Sequence, residues 1–101
     1  MLRAIFSYLA KQDLRDIYAY VAAEDMAAAG RLIARLKERV PMLVQTPEMG
    51  RRRDEYIQGL RSHTCLSYLI FYRIEMDAVR VLYVVHGARH LPRLFRREPR
   101  A

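Results

Sequence analysis

The sequence predicts an α+β fold: an N-terminal strand and an α-helical hairpin packed on an antiparallel sheet, in the order β-α-α-β-β-β. Three features predict it. A short apolar run, Leu2 to Phe6, opens the chain. Apolar residues then recur at helical spacing through two successive segments that end before Pro47. From Leu60 onward, β-branched and aromatic residues alternate at strand spacing.

Leu2 to Phe6 is read as the first strand. Ser7 is a candidate N-cap, because its hydroxyl can accept a free N–H of the first helical turn. Ala10, Leu14, Ile17, Tyr18 and Val21 form an apolar stripe, with Lys11, Arg15 and Asp16 off it. This is an amphipathic helix of about four turns. Asp25 can cap a second helix, whose stripe is Ala29, Leu32, Ile33, Leu36, Val40, Leu43 and Val44. Gly30 inside it costs about 1 kcal/mol relative to alanine. Pro41 removes a backbone donor and clashes with the preceding turn, so a kink or a stop-and-restart is expected there. Two helices joined by a short turn make an αα-hairpin.

Pro47 to Asp54 reads as turn chemistry and charge, and Glu55 to Gln58 is ambiguous. Leu60 to Cys65 is a candidate strand. In Leu66 to Glu75, Tyr68, Ile70, Tyr72 and Ile74 share one face while Leu69 and Phe71 take the other, which marks a central strand. Met76-Asp77-Ala78 is a tight connection. Val79, Val81, Tyr83 and Val85 then alternate with Arg80, Leu82, Val84 and His86, completing a hairpin. After Gly87 the chain turns irregular: Pro92 breaks any strand, and Leu94 and Phe95 are placed to tuck back onto the core. Residues 1–95 form the single domain, and 96–101 read as a basic tail. The sheet face away from the helices has fewer obvious covers, so it is the expected docking face.

The chain of 101 residues holds one domain. Lysine plus arginine outnumber acids 18 to 11, for a formal charge of +7. The positive charge concentrates in Arg51-Arg52-Arg53 and from Arg93 to Arg100, which favours an anionic partner over charge that merely keeps the chain soluble. One cysteine, Cys65, excludes an intrachain disulfide and fits a reducing compartment. Met1 to Ala10 is followed too soon by Lys11, Asp13 and Arg15 to be a signal peptide. No apolar run approaches the ~20 residues of a membrane helix. A cytoplasmic protein is expected.

Five motifs occur in a fixed order. Ala10-Lys11-Gln12-Asp13-Leu14 with Ile17 and Tyr20 reads A-x-x-D-L-x-x-I-x-x-Y. Pro47 to Arg51 reads P-x-x-G-R, Gly59 to Ser62 G-L-R-S, Phe71 to Arg73 F-Y-R, and His86 to Arg89 H-G-A-R. Their order and spacing, from about Leu2 to Phe95, resemble the toxins of the ParE/RelE superfamily, in its ParE-like branch. The resemblance implies a cognate antitoxin, which wraps the toxin with its C-terminal segment and usually binds DNA through its N-terminal part. ParE-like members are described as inhibitors of DNA gyrase, so gyrase is the implied target, with DNA touched only indirectly through antitoxin or gyrase. RelE-like members cleave mRNA on the ribosome. Two positions depart from the pattern: Tyr83 stands where members often have arginine, and His90 where many have aspartate.

RNA cleavage without a metal needs a base for the 2′-hydroxyl, cations for the phosphate and an acid for the leaving oxygen. Arg61, Tyr72, Arg73, His86, Arg89 and His90 are the candidates for that chemistry. Against it, the only lysines are Lys11 and Lys37, both in the N-terminal half, and arginine holds its proton too tightly to be a base. A binding role is therefore expected, with no catalytic residue. Its candidate partner-binding residues are Arg51, Arg52, Arg53, Arg61, Arg73, His86 and Arg89. Each also has an ordinary structural role open to it. Arg61 and Arg73 can pair with Glu55 or Glu75, Tyr68 and Tyr72 can be core aromatics, and His86 can bond the following turn. A repurposed, non-toxic binding module is the third reading. His63, Cys65, His86 and His90 could in principle ligate zinc, but scattered ligands without a C-x-x-C pair are no metal signature. No metal or cofactor is expected, and Cys65 reads as a small buried hydrophobe.

Overall fold

The computed structural model describes residues 2–88 and 91–97. Strand β1 (Arg3–Phe6) leads into helices α1 (Tyr8–Ala22) and α2 (Met26–Gln45). A single 3-10 turn (Pro47–Met49) precedes β2 (Arg51–Arg52), β3 (Leu60–Cys65), β4 (Tyr68–Ile74), β5 (Ala78–His86) and a short α3 (Leu91–Arg97). The sheet order is β1-β5-β4-β3-β2. The consecutive strands β2 to β5 pair antiparallel, as expected, and the N-terminal strand adds to β5 in parallel, making a mixed sheet of five strands.

Both helix caps expected from sequence form. Ser7 accepts the Ala10 N–H at 3.0 Å, and Asp25 accepts the Ala28 N–H at 3.0 Å. Each cap is worth ~1 kcal/mol. Ala10 and Leu14 of α1 and Ala29, Leu36, Val40 and Leu43 of α2 are buried. Most of them pack with Ile70, Tyr72, Val79, Val81 and Val84 into the main core between helices and sheet. The expected break at Pro41 does not occur: α2 runs through it to Gln45. Val40 and Leu43, buried on either side of it, hold that segment against the sheet. Such packing can offset the ~3 kcal/mol cost of an internal proline.

β4 is central, and its two faces divide as the sequence alternation predicts. Ile70 and Tyr72 enter the helix-side core, while Leu69 and Phe71 enter a second cluster behind the sheet. In β5 the alternation expected from Val79 to His86 breaks. Phe71 pairs with Tyr83 but Tyr72 with Val81, so Leu82 is an extra residue in a β-bulge. Beyond it the faces exchange: Val84 joins the helix-side core, and Tyr83 and Val85 join the second cluster with Leu82. A bulge places two residues against one and re-aims the side chains that follow.

The face behind the sheet is less open than expected. Tyr56 and Ile57 from the β2–β3 loop, and Leu91, Leu94 and Phe95 from α3, pack over it. Phe95 stacks on Tyr56 at 4.7 Å and meets Phe71 and Tyr83 edge-on at 5.1 and 5.4 Å. The chain thus tucks back through Leu94 and Phe95 as expected, but as a helix and not as irregular chain. Pro92 sits in its first turn, where no backbone donor is needed. The helix takes in Arg96 and Arg97, which were expected in the tail; residues 98–101 lie outside the described residues.

Candidate functional site

Tyr72 anchors the Pro47–Gly50 turn. Its fully buried hydroxyl donates to the Pro47 carbonyl at 2.7 Å and accepts the Gly50 N–H at 2.9 Å. Arg61, opposite Tyr72 on β3, donates to the carbonyls of Glu48 at 3.1 Å and Gly50 at 2.9 Å. A Cβ on residue 50 would lie 2.8 Å from the Tyr72 ring and 2.9 Å from the Ser62 carbonyl, so only glycine fits. The P-x-x-G-R, G-L-R-S and F-Y-R motifs are therefore one structural unit. Burial pushes the Tyr72 phenol above its ordinary value, opposed by the Gly50 N–H and the Arg61 charge. Burial thereby favours the neutral phenol.

The remaining candidates are dispersed. Arg73 pairs with Glu75 at 3.5 Å, and Arg80 bonds the same carboxylate at 2.8 Å. The Arg80 hydrogen bond, followed by the charges of Arg80 and Arg73, holds the Glu75 carboxyl below its usual range against its partial burial. Arg53 is structural in geometry: its Nε donates to Ser62 Oγ at 2.9 Å and its guanidinium lies 5.9 Å from the Phe71 ring centre. Arg52 bonds Asp54 at 2.8 Å, and Arg51 is exposed on the edge strand. His86 accepts the Ala88 N–H through Nδ1 at 3.0 Å and meets the Tyr68 ring edge-on at 5.3 Å. Arg89 and His90 lie outside the described residues.

Arg61 and Tyr72 thus come together, but His86 does not join them. It pairs with Tyr68, four residues along β4 from Tyr72, a separation of about 13 Å along the strand. Arg73, next to Tyr72 in sequence, projects from the other face of β4. Arg61 does not pair with Glu55, as one reading expected; it holds backbone carbonyls instead. Tyr83, the departure from the arginine pattern, is 4% exposed and belongs to the aromatic cluster around Phe95. Cys65 is 1% exposed, with its thiol turned to the Arg35 carbonyl at 3.9 Å. Among the described residues, no three His, Cys, Asp or Glu side chains gather as a metal site. No described helix is long and apolar enough to cross a membrane.

A larger feature escaped the sequence reading. Between α1, α2 and the β1 edge lies a groove of about 1110 Å³. Phe6, Leu14, Tyr18, Ile33, Val40 and Val44 line it, and Lys11, Arg15 and Lys37 stand at its rim. Both lysines of the chain are there. The signal was present in the width of the two apolar stripes, but spacing along each helix does not say how far apart the helices stand.

The family model described as "ParE toxin of type II toxin-antitoxin system, parDE" matches residues 4–91. The chain belongs to this ParE toxin family. A curated relative from Sinorhizobium fredii, named "Putative toxin Y4kP", is 34% identical over 83 residues, covering 80% of this chain and 83% of its own. Among solved structures, a chain of the chromosomal ParDE toxin–antitoxin system from P. aeruginosa superposes with a TM-score of 0.74 at 22% identity. That match covers 85% of this ParE-family chain and 96% of the other. A chain of the RelBE2 toxin–antitoxin complex from Mycobacterium tuberculosis gives 0.64 at 24% identity, covering 84% and 96%. These two likenesses establish the shared fold.

Proposed function

We propose that this ParE-family toxin acts by docking on DNA gyrase and stalling it, and that a cognate antitoxin silences it by filling the groove between α1 and α2. The observation that carries the binding mode is the inward commitment of Tyr72 and Arg61. A phenol and a guanidinium among the candidates for RNA cleavage already bond the Pro47–Gly50 turn. The basic charge of +7 and the cationic rim of an apolar groove suit an acidic, amphipathic antitoxin segment. The two solved relatives come from toxin–antitoxin systems, which supports such a partner. Gyrase works on the chromosome, so the site of action in this reading is the cytoplasm.

The test combines two assays. Purified protein is added to gyrase in a supercoiling reaction, and transcripts are mapped by primer extension after induction. Loss of supercoiling with intact transcripts supports the proposal. Cuts within codons, with gyrase unaffected, would replace it with the ribosome-dependent nuclease.

A further inference from the structure

Among the described residues, Leu66 is the one non-glycine with a positive φ, at 57°. It is the first of the two turn residues between β3 and β4, since Cys65 pairs with Tyr68. Left-handed backbone is costly for a residue with a Cβ, and such turns ordinarily take glycine or asparagine. Burial does not compensate, because Leu66 is 54% exposed. It lines a recess of about 430 Å³ with Arg31, Leu32, Ala34, Arg35 and Glu38 of α2. Arg31 and Arg35 are exposed, one helical turn apart, and their guanidinium groups make no ion pair among the described residues. No α2 residue is shared between this recess and the α1–α2 groove.

We propose that the recess formed by Leu66, Arg31 and Arg35 is a second docking surface, which receives an acidic segment of the protein that the toxin poisons. The chemistry selects that partner. Two unpaired guanidinium groups call for carboxylates, and Leu66, Leu32 and Ala34 offer an apolar seat for one anchoring side chain. The apolar seat, which a phosphate backbone would leave unfilled, favours a protein segment over nucleic acid. A strained, exposed leucine in a recess that also holds two cations without an ion pair among the described residues is the arrangement expected of a contact residue, not of a fold-stabilising one. The inference rests on the toxin reading above and deepens it by separating the target-facing surface from the antitoxin groove.

The test uses the full chain under an inducible promoter, with Leu66→Asn and the double variant R31E/R35E. Asparagine tolerates the left-handed turn and removes the apolar anchor. Both variants are expected to weaken growth inhibition by about tenfold in inducer dose, as loss of an anchor residue does. Their Tm and their co-purification with the cognate antitoxin are expected to match wild type. Variants as toxic as a toxic wild type would overturn the inference and leave the toxin reading intact. Loss of antitoxin capture in parallel with toxicity would reassign the recess to the antitoxin, and so overturn it. A duplex DNA shift abolished by R31E/R35E would do the same in favour of nucleic acid. A wild-type chain harmless on induction would sink the toxin reading and the inference with it.

Discussion

Asp13 on α1 accepts the backbone N–H of Val84 on β5 at 2.9 Å, across 71 positions of sequence. β1 leaves β5 after the Phe6–Val81 pair, so the edge of β5 beyond it needs other partners. The start of α1 supplies them: Ser7 N–H bonds the Val81 carbonyl, Ser7 Oγ bonds the Leu82 carbonyl, and Asp13 takes Val84. The A-x-x-D-L motif is thus an edge seal, with Ala10 and Leu14 buried on either side of the carboxylate.

Removing that seal should destabilise the fold without touching any exposed surface. Asp13→Ala leaves the Val84 amide without its acceptor, at a cost of about 1–3 kcal/mol. Asp13→Asn keeps an acceptor oxygen and should cost less. Urea midpoints at unchanged m-value would check the order; equal midpoints for wild type and Asp13→Ala would refute it.

The Tyr72 network predicts a coupled pair. Tyr72→Phe strands the Pro47 carbonyl and the Gly50 N–H, costing about 1–3 kcal/mol. Gly50→Ala should be worse, since the added methyl meets both the Tyr72 ring and the Ser62 carbonyl. In the Tyr72→Phe background, Gly50→Ala should cost less, because the hydroxyl part of the clash is gone. A double-mutant cycle measures the difference, and strict additivity would argue against the shared contact.

Phe95 is the keystone of the cluster behind the sheet. Phe95→Ala removes contacts to Tyr56, Phe71 and Tyr83, and should cost about 2–4 kcal/mol. Hydrogen exchange should show faster opening of the β2–β3 loop and α3 than of β4 and β5. Uniform loss of protection across the sheet would contradict a local cluster.

His63 supplies a pH dependence. Its burial, and then the charge of Arg39 at 3.1 Å, hold the imidazole below its ordinary value of 6.5. The folded chain therefore resists a proton that the unfolded chain accepts, so stability is lost as pH falls below 6.5. His63→Gln should flatten that part of the stability profile between pH 7 and 5. An unchanged slope in thermal melts across that window would assign the acid sensitivity elsewhere.

Gly30 offers a gain. It lies mid-helix in α2, exposed, with nothing within 4 Å of the position an added Cβ would take. Gly30→Ala should stabilise by about 0.5–1 kcal/mol through helix propensity and reduced unfolded-state entropy. A fall in Tm would mean that the position serves something other than the helix.

Much of the fold was legible in the residues because local rules were obeyed locally. Ser7 and Asp25 announce the helix starts, and the two-sided apolar pattern of Tyr68 to Ile74 announces a central strand. The misreadings share a cause. Pro41 was expected to break its helix, but Val40 and Leu43 are held on the sheet from both sides. The bulge at Leu82 breaks a perfect alternation and shows only in the pairing with β4. Among the candidate site residues, chemical type was visible but commitment was not. Arg61 and Tyr72 are visible in sequence as a cation and an aromatic, but not as the pair that fastens the Pro47–Gly50 turn.

Residue order alone decided the element types, the helix caps, the cationic balance and the family motifs, because each depends on neighbours within a few positions. Tertiary structure alone decided that the first strand runs parallel to the last, that Asp13 reaches Val84, and that a groove opens where α1 and α2 meet the β1 edge. Those relationships join residues distant along the chain, and their energies exist only once folding has brought the partners within a few ångströms of each other.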